Sequence, residues 1–312
     1  VEFFKTVDGR ITEVSEFTEG CWVNMVHPSS DELEQIAQAA QVEEEFVRAA
    51  LDPEESSRVD TEDEQLLMIV DIPMVEKSSV EDGGQLFSTI PMGIVVAKSA
   101  VITVCLEDSI ILRSIAEGAV KGVHTALRTR FVFQILLRIA GRFLKNLRMI
   151  ERDFTLIEKR LYDSLKNEEL IQLLGLSKSL VYFSSSLKGN EVTMEKVLRG
   201  RVLKLYEDDR DILEDALIEV RQAIEMANIY SNIMAGTMDA YASVVSNNLN
   251  IIMKVLTILT IIMTIPNIVF GFFGMNIGEG NIPGDWVWWM PLAITVVGCF
   301  FAWWMLKKKN LD

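Results

Sequence analysis

The chain has 312 residues, 49% hydrophobic and 24% charged, with 45 acidic against 30 basic side chains and a formal net charge of −15. Residues 251–312 hold only four of the bases (Lys254, Lys307, Lys308, Lys309) and three of the acids (Glu279, Asp285, Asp312), which leaves 26 bases and 42 acids, a net charge of −16, on the first 250 residues. So acidic a body repels phosphate and excludes a nucleic-acid partner; it favours cations.

In chain order, residues 1–122 mix strand and helix signals. Residues 65–70, 92–97 and 100–106 are short apolar runs that predict strands, the last two joined by a tight turn at Lys98-Ser99. Residues 30–39 predict a helix, because Ser30 precedes Asp-Glu-Leu-Glu and can cap its start. The opening Val1-Glu2-Phe3-Phe4 lacks the charged-then-apolar leader of a secretory signal. Cys21, Cys105 and Cys299 share no close spacing, so neither a disulfide framework nor a thiolate zinc site is expected. Only His27 and His124 are present, no phosphate-binding Gly-Lys loop occurs, and no nucleophile, base and orienter group together, so an enzyme is not expected.

Residues 123–208 turn helical. Apolar residues recur every three or four positions from 131 to 174, and Ser184-Ser185-Ser186 through Gly189-Asn190 predicts the turn of a helical hairpin. Residues 209–250 predict a stalk helix whose apolar seam reads Leu213, Leu217, Val220, Ile224, Ala227, Ser231, Met234, Met238, Tyr241, Val245. From 211 to 272 the helix would run roughly 90 Å if continuous. A helix so long must pack against the preceding hairpin or against copies of itself.

Two stretches then reach membrane length. Residues 255–273 are nineteen without a charge and 286–306 another twenty-one, each enough for a helix to cross about 30 Å of hydrocarbon. They predict spans over 251–273 and 286–306, with a Gly- and Pro-containing loop at 274–285 on the far side and a basic tail at 307–312. Lys254 and Lys307-Lys308-Lys309 flank the spans on one face, which by the positive-inside rule puts both termini in the cytoplasm of a cell inner membrane. Trp286, Trp288 and Trp289 mark one interface, and Trp303 and Trp304 the other.

A second stripe runs along the first span. Steps of three and four give Asp239, Ser243, Ser246, Asn250, Met253, Thr257, Thr260, Thr264, Asn267, Gly271 and Gly274, nearly all polar or small. Small residues permit close helix packing, whereas hydroxyls and amides line water; two amides, Asn250 and Asn267, on one face of a span are costly against lipid and favour the second reading.

At the outer end of that span stands Phe273-Gly274-Met275-Asn276, beyond Pro266, and at its inner end Met253-Lys254-Val255-Leu256-Thr257. On these residues and the two-span layout the chain resembles the CorA family of divalent-cation transporters, sharply from about residue 248 onward. The resemblance implies an α/β cytoplasmic domain, a long helical stalk and two C-terminal spans in a funnel-shaped homopentamer, with the first spans around a pore. It implies that Asn276 presents a ring of amide carbonyls to hydrated Mg2+ beside Gly274 and Met275. Asn267, Thr264, Thr260, Leu256 and Met253 would follow along the pore, the last two as an apolar gate, and Asn250 and Asp239 would lie at and below the cytoplasmic exit. A hydrated ion suits neutral oxygens, since Mg2+ dehydrates reluctantly. The resemblance also implies a regulatory Mg2+ site with one carboxylate at Asp215, for which Glu76 is the partner candidate. The loop Ile277-Gly278-Glu279-Gly280-Asn281-Ile282-Pro283-Gly284-Asp285 departs from the acidic pattern of many Mg2+ carriers and leaves Zn2+, Co2+ or Ni2+ open as the ion. A membrane-anchored helical scaffold is the rival of another class.

Overall fold

The computed structural model describes residues 1–62, 65–76, 86–164, 167–200, 206–274 and 286–308. They form two units, residues 1–236 and 237–312.

The first unit is built on a seven-stranded mixed sheet. Its strands are β1 (Glu2–Val7), β2 (Arg10–Val14), β3 (Trp22–Val26), β4 (Arg58–Glu62), β5 (Gln65–Glu76), β6 (Leu86–Val96) and β7 (Val101–Cys105), in the order β2-β1-β3-β7-β6-β5-β4. Only β3 and β7 pair in parallel, Val23 opposite Ile102. The predicted strands at 65–70, 92–97 and 100–106 fall on β5, β6 and β7, because a continuous apolar run is what a strand covered on both faces requires. Leu67 and Ile69 face a core filled by Leu33, Ile36 and Phe46 of two helices, α1 (Ser30–Ala40) and α2 (Glu44–Arg48). Trp22 lies beneath Phe131 at 5.4 Å, and Phe87 meets Phe183 at 6.0 Å, where the long helices α4 (Arg128–Ser164) and α5 (Asn167–Leu198) cover the sheet. A short helix, α3 (Ile110–Ala116), links β7 to them.

The cap of α1 is Ser29, one residue before the predicted start. Its hydroxyl accepts from the Glu32 amide and the Glu32 carboxylate accepts from the Ser29 amide, a reciprocal pair that holds the Glu32 carboxyl below its usual range. Burial alone pushes the Cys105 thiol up to about 12, which leaves it an unreactive core side chain.

The hairpin turn is not where the serines are. Residues 184–190 lie inside α5, and their small polar side chains are there for the neighbours they touch. Ser186 Oγ donates to Thr89 Oγ1 at 2.8 Å. Asn190 is fully buried; its Oδ1 accepts from the Asp71 amide at 2.8 Å and from Ser57 Oγ at 3.1 Å, while its Nδ2 donates to the Asp71 carbonyl at 2.8 Å. The reason is visible in the sheet: pairing of β4 with β5 stops at Arg58 opposite Ile69, so Asp71 has lost its strand neighbour and one side-chain amide replaces it. Gly189 permits the approach, because a Cβ there would stand 3.1 Å from Ser57 Oγ. The Asp71 carboxyl beside this junction is pushed up by burial, against the lowering effect of the Ser186 hydroxyl.

The long helix is α6 (Glu207–Phe273). Within the first unit it buries Leu213, Leu217, Val220, Ala227 and Met234, members of the predicted seam, together with Ala216 and Ala223. Its start is tied to α4 by Arg130 and Asp209, 3.3 Å apart, and further along Tyr230 donates its hydroxyl to Glu151 at 2.8 Å.

The second unit contains the rest of α6 and α7 (Trp286–Lys308), the two helices among the described residues that are long and apolar enough to cross a membrane. They meet where Gly298 and Cys299 of α7 reach Ile265 and Ile262 of α6; Ile258, Pro266 and Val269 on the same side of α6 and Thr295 and Ala302 on the same side of α7 are half-buried as well. Small residues on α7 allow the approach: a Cβ on Gly298 would lie 3.0 Å from Ile265 Cγ2. Pro266 has no amide to give the Ile262 carbonyl one turn back. Cys299 Sγ donates to that carbonyl at 3.8 Å, so the neighbouring helix supplies what the proline withholds.

Candidate functional site

Every described member of the polar stripe is exposed: Asp239, Ser243, Ser246, Asn250, Met253, Thr257, Thr260, Thr264, Asn267, Gly271 and Gly274. Leu256 joins them at 54% exposure and Met253 stands at 53%. At 100° per residue the mean direction of the stripe from Met253 to Gly274 is about 180° from that of Ile258, Ile262, Ile265, Pro266 and Val269. The polar face of α6 is thus the face its own α7 does not use, and close packing of α6 on α7 does not explain the stripe.

The hydroxyls have a common geometry. Thr257 donates to the Met253 carbonyl at 2.7 Å, Thr260 to Leu256 at 2.8 Å, and Thr264 to Thr260 at 2.6 Å. Below them Ser243 donates to Asp239 at 3.0 Å. Each proton is spent inside the helix, so each hydroxyl oxygen presents lone pairs outward, as acceptors only. Such a face suits a cation or the oppositely polarised hydrogens of its water shell. Met275 and Asn276 lie outside the described residues; Gly274 is the last described residue before them, its amide donating to the Phe270 carbonyl at 2.8 Å.

The two regulatory candidates belong to the first unit. Glu76 is exposed at the last position of β5, and Asp215 is exposed on α6. Among the described residues no three His, Cys, Asp or Glu side chains gather into a group able to hold a metal ion. One residue that sequence reasoning passed over is Glu219, a turn beyond Asp215. Partial burial pushes its carboxyl up and the Asp215 charge adds to this, while Arg138 and Arg148 of α4 pull it down. Gly141 of α4 leaves room for it, since a Cβ there would be 3.3 Å from Glu219 Oε2. The Asp-to-Glu spacing of four was the available signal.

A long helix with an oxygen-lined face, a second apolar helix packed on it and an acidic sheet domain earlier in the sequence describe a two-span membrane protein of the cation-transporting kind. The family model for the CorA-like Mg2+ transporter protein matches residues 18–308, and the chain belongs to that family, whose members are transporters and not enzymes. It is 25% identical over 304 residues to the cobalt/magnesium transport protein CorA of Methanocaldococcus jannaschii, covering 93% of this chain and 91% of the relative. The CorA of Thermotoga maritima is 30% identical over 161 residues, 48% of this chain and 45% of that one. The complete structure of the M. jannaschii magnesium transporter superposes with a TM-score of 0.84 at 21% identity, covering 98% of this chain and 96% of that one. The cytoplasmic domain of ZntB from Vibrio parahaemolyticus shares the fold at a TM-score of 0.61 and 15% identity, covering 79% of this chain and 98% of that one. The protein is a divalent-cation transporter of the membrane.

Proposed function

We propose that the chain carries Mg2+ passively into the cytoplasm as a homopentamer, with the polar face of α6 from each copy turned to a common axis. The observation that carries this reading is the direction of the stripe: acceptor oxygens at Thr257, Thr260 and Thr264 and the amide of Asn267 stand opposite the face that packs on α7. The pathway runs from Gly274, Met275 and Asn276 through Asn267, Thr264 and Thr260 to an apolar constriction at Leu256 and Met253, and leaves past Asn250 and Asp239. Asn276 receives the hydrated ion without stripping it, and the constriction closes by dewetting. Entry of a divalent cation down a negative-inside potential releases about 4.6 kcal/mol per 100 mV, twice the single-charge figure, so transport needs no chemical fuel.

The acidic body supplies regulation. Copies that each carry −16 on residues 1–250 repel one another, and cytoplasmic Mg2+ bound between copies at Asp215 and Glu76 offsets that repulsion and holds the pore shut. Both termini lie in the cytoplasm of an inner membrane, the side that the basic flanks Lys254 and Lys307-Lys308-Lys309 favour. Co2+, Zn2+ or Ni2+ is the second reading of the ion. The relatives named for cobalt as well as magnesium and the glycine-rich loop after Asn276 favour it.

Ion flux into liposomes, measured for Mg2+, Co2+, Ni2+ and Zn2+ in turn, tests the proposal. Wild-type flux largest for Mg2+ and at least tenfold lower in Asn276→Ala is expected; flux indifferent to Asn276 overturns the pathway. In the same vesicles Asp215→Ala keeps flux high at millimolar internal Mg2+, and inhibition equal to wild type removes Asp215 from the sensor.

A further inference from the structure

The last two turns of α7 carry two side-by-side columns of side chains. In one, Phe300 meets Trp303 at 5.8 Å and the Lys307 ammonium lies 5.0 Å from the Trp303 ring centre; in the other, Phe301 meets Trp304 at 6.2 Å and the Lys308 ammonium lies 5.4 Å from the Trp304 ring centre. The columns are one residue apart in register, so they stand about 100° from each other around the helix. Both avoid the face formed by Thr295, Gly298, Cys299 and Ala302, which packs on α6, and Phe300, Phe301, Trp303 and Trp304 are all exposed. α7 contains no acidic residue, and among the described residues no ion pair reaches Lys307 or Lys308.

We propose that these two columns form a binding site for the phosphate headgroup of an anionic phospholipid in the leaflet next to the C-terminal end of α7. The inference rests on α7 spanning the membrane and is independent of which ion crosses. An ammonium over an indole face keeps N–H donors free on the side away from the ring, and the ring fixes its height. Tryptophan settles at the headgroup level, phenylalanine below it among the acyl chains, and lysine above it, so each column matches the layers of one lipid molecule. Two ammonium groups on a helix without an acidic residue prefer a net-negative headgroup to a zwitterionic one, where choline neutralises the phosphate. Near a membrane surface each lysine favours an anionic lipid by about fivefold.

The full chain is reconstituted in phosphatidylcholine vesicles, and association of spin-labelled phosphatidylglycerol is compared with that of spin-labelled phosphatidylcholine. Wild type is expected to prefer phosphatidylglycerol by several-fold, with the preference shrinking in high salt. Lys307→Gln/Lys308→Gln abolishes it. Trp303→Leu/Trp304→Leu, which keeps both charges and the apolar character, reduces it by at least half, whereas diffuse surface attraction would leave it unchanged. Equal association of the two lipids with wild type, a preference that survives Lys307→Gln/Lys308→Gln, or one undiminished in Trp303→Leu/Trp304→Leu, overturns the site. Cation flux in the same vesicles is read separately: flux lost with lipid preference intact counts against the transport reading alone.

Discussion

Two helix faces in this protein are made from the same kinds of residue and meet opposite ends. On α5, Ser179, Ser186, Gly189 and Asn190 lie against the sheet, and the three polar ones are buried; Ser179 Oγ accepts from the Phe87 amide at 3.0 Å, and Asn190 takes both backbone groups of Asp71. On α6, Ser243, Asn250, Thr257, Thr260, Thr264 and Asn267 are all exposed, and where their hydroxyls are bonded the acceptor is a carbonyl of the same helix. A polar stripe therefore identifies a face with business elsewhere without naming the partner. On α5 the partner is an unpaired strand edge inside the chain; on α6 no described residue of the second unit supplies one, which is the position a face must have if water and ions are to be its neighbours.

Replacing Asn190 by Leu is expected to give the largest effect on this contrast. The side chain keeps its forked shape and number of heavy atoms but leaves the Asp71 amide and carbonyl unpaired in a buried setting, a loss of about 2–4 kcal/mol. Thermal unfolding of the full chain in detergent should show a large drop in midpoint. A shift within experimental scatter would mean that the polar residues of α5 are as dispensable to folding as those of α6.

Next in size is Gly298→Leu. The first added carbon already sits 3.0 Å from Ile265 Cγ2, so the pair of helices must separate or tilt, at about 1–3 kcal/mol. Separation also withdraws Cys299 from the Ile262 carbonyl. Protease cleavage of the second unit in micelles should accelerate while the first unit resists as before. Unchanged resistance would show that α6 and α7 do not depend on this contact.

How much of this was legible beforehand follows from the same contrast. The β5, β6 and β7 strands announced themselves because strands covered on both faces must be apolar throughout. β1, β2 and β4 did not, since half-exposed or edge strands such as Arg58-Val59-Asp60-Thr61-Glu62 carry charges that resemble a loop. The stripe on α6 could be read from spacing, as its period is that of the helix and its setting is hydrocarbon. The serines of α5 could not: Ser and Gly are signals of a turn in the local sequence, and only the sheet edge at Asp71, more than a hundred residues earlier, explains why a helix keeps them. Likewise Cys299 gave no sign that it answers Pro266, because the need arises from a carbonyl and is met from another helix.

The smallest effect on stability and the most informative is expected from Thr260→Val. Valine matches threonine in shape and stiffness, and the bond that disappears is one the hydroxyl made to the Leu256 carbonyl, which keeps its helical partner Thr260 N–H as before. The unfolding midpoint should move by no more than the equivalent of about 0.5 kcal/mol, within the range of surface substitutions. Cation flux should nevertheless fall several-fold, because one acceptor oxygen is removed from every copy at the same level of the proposed path. If stability fell as it does for Asn190→Leu, the face of α6 would be a packing surface like that of α5. If neither stability nor flux changed, Thr260 would lie outside the path, and the oxygen-lined face would have to be shortened to the residues on either side of it.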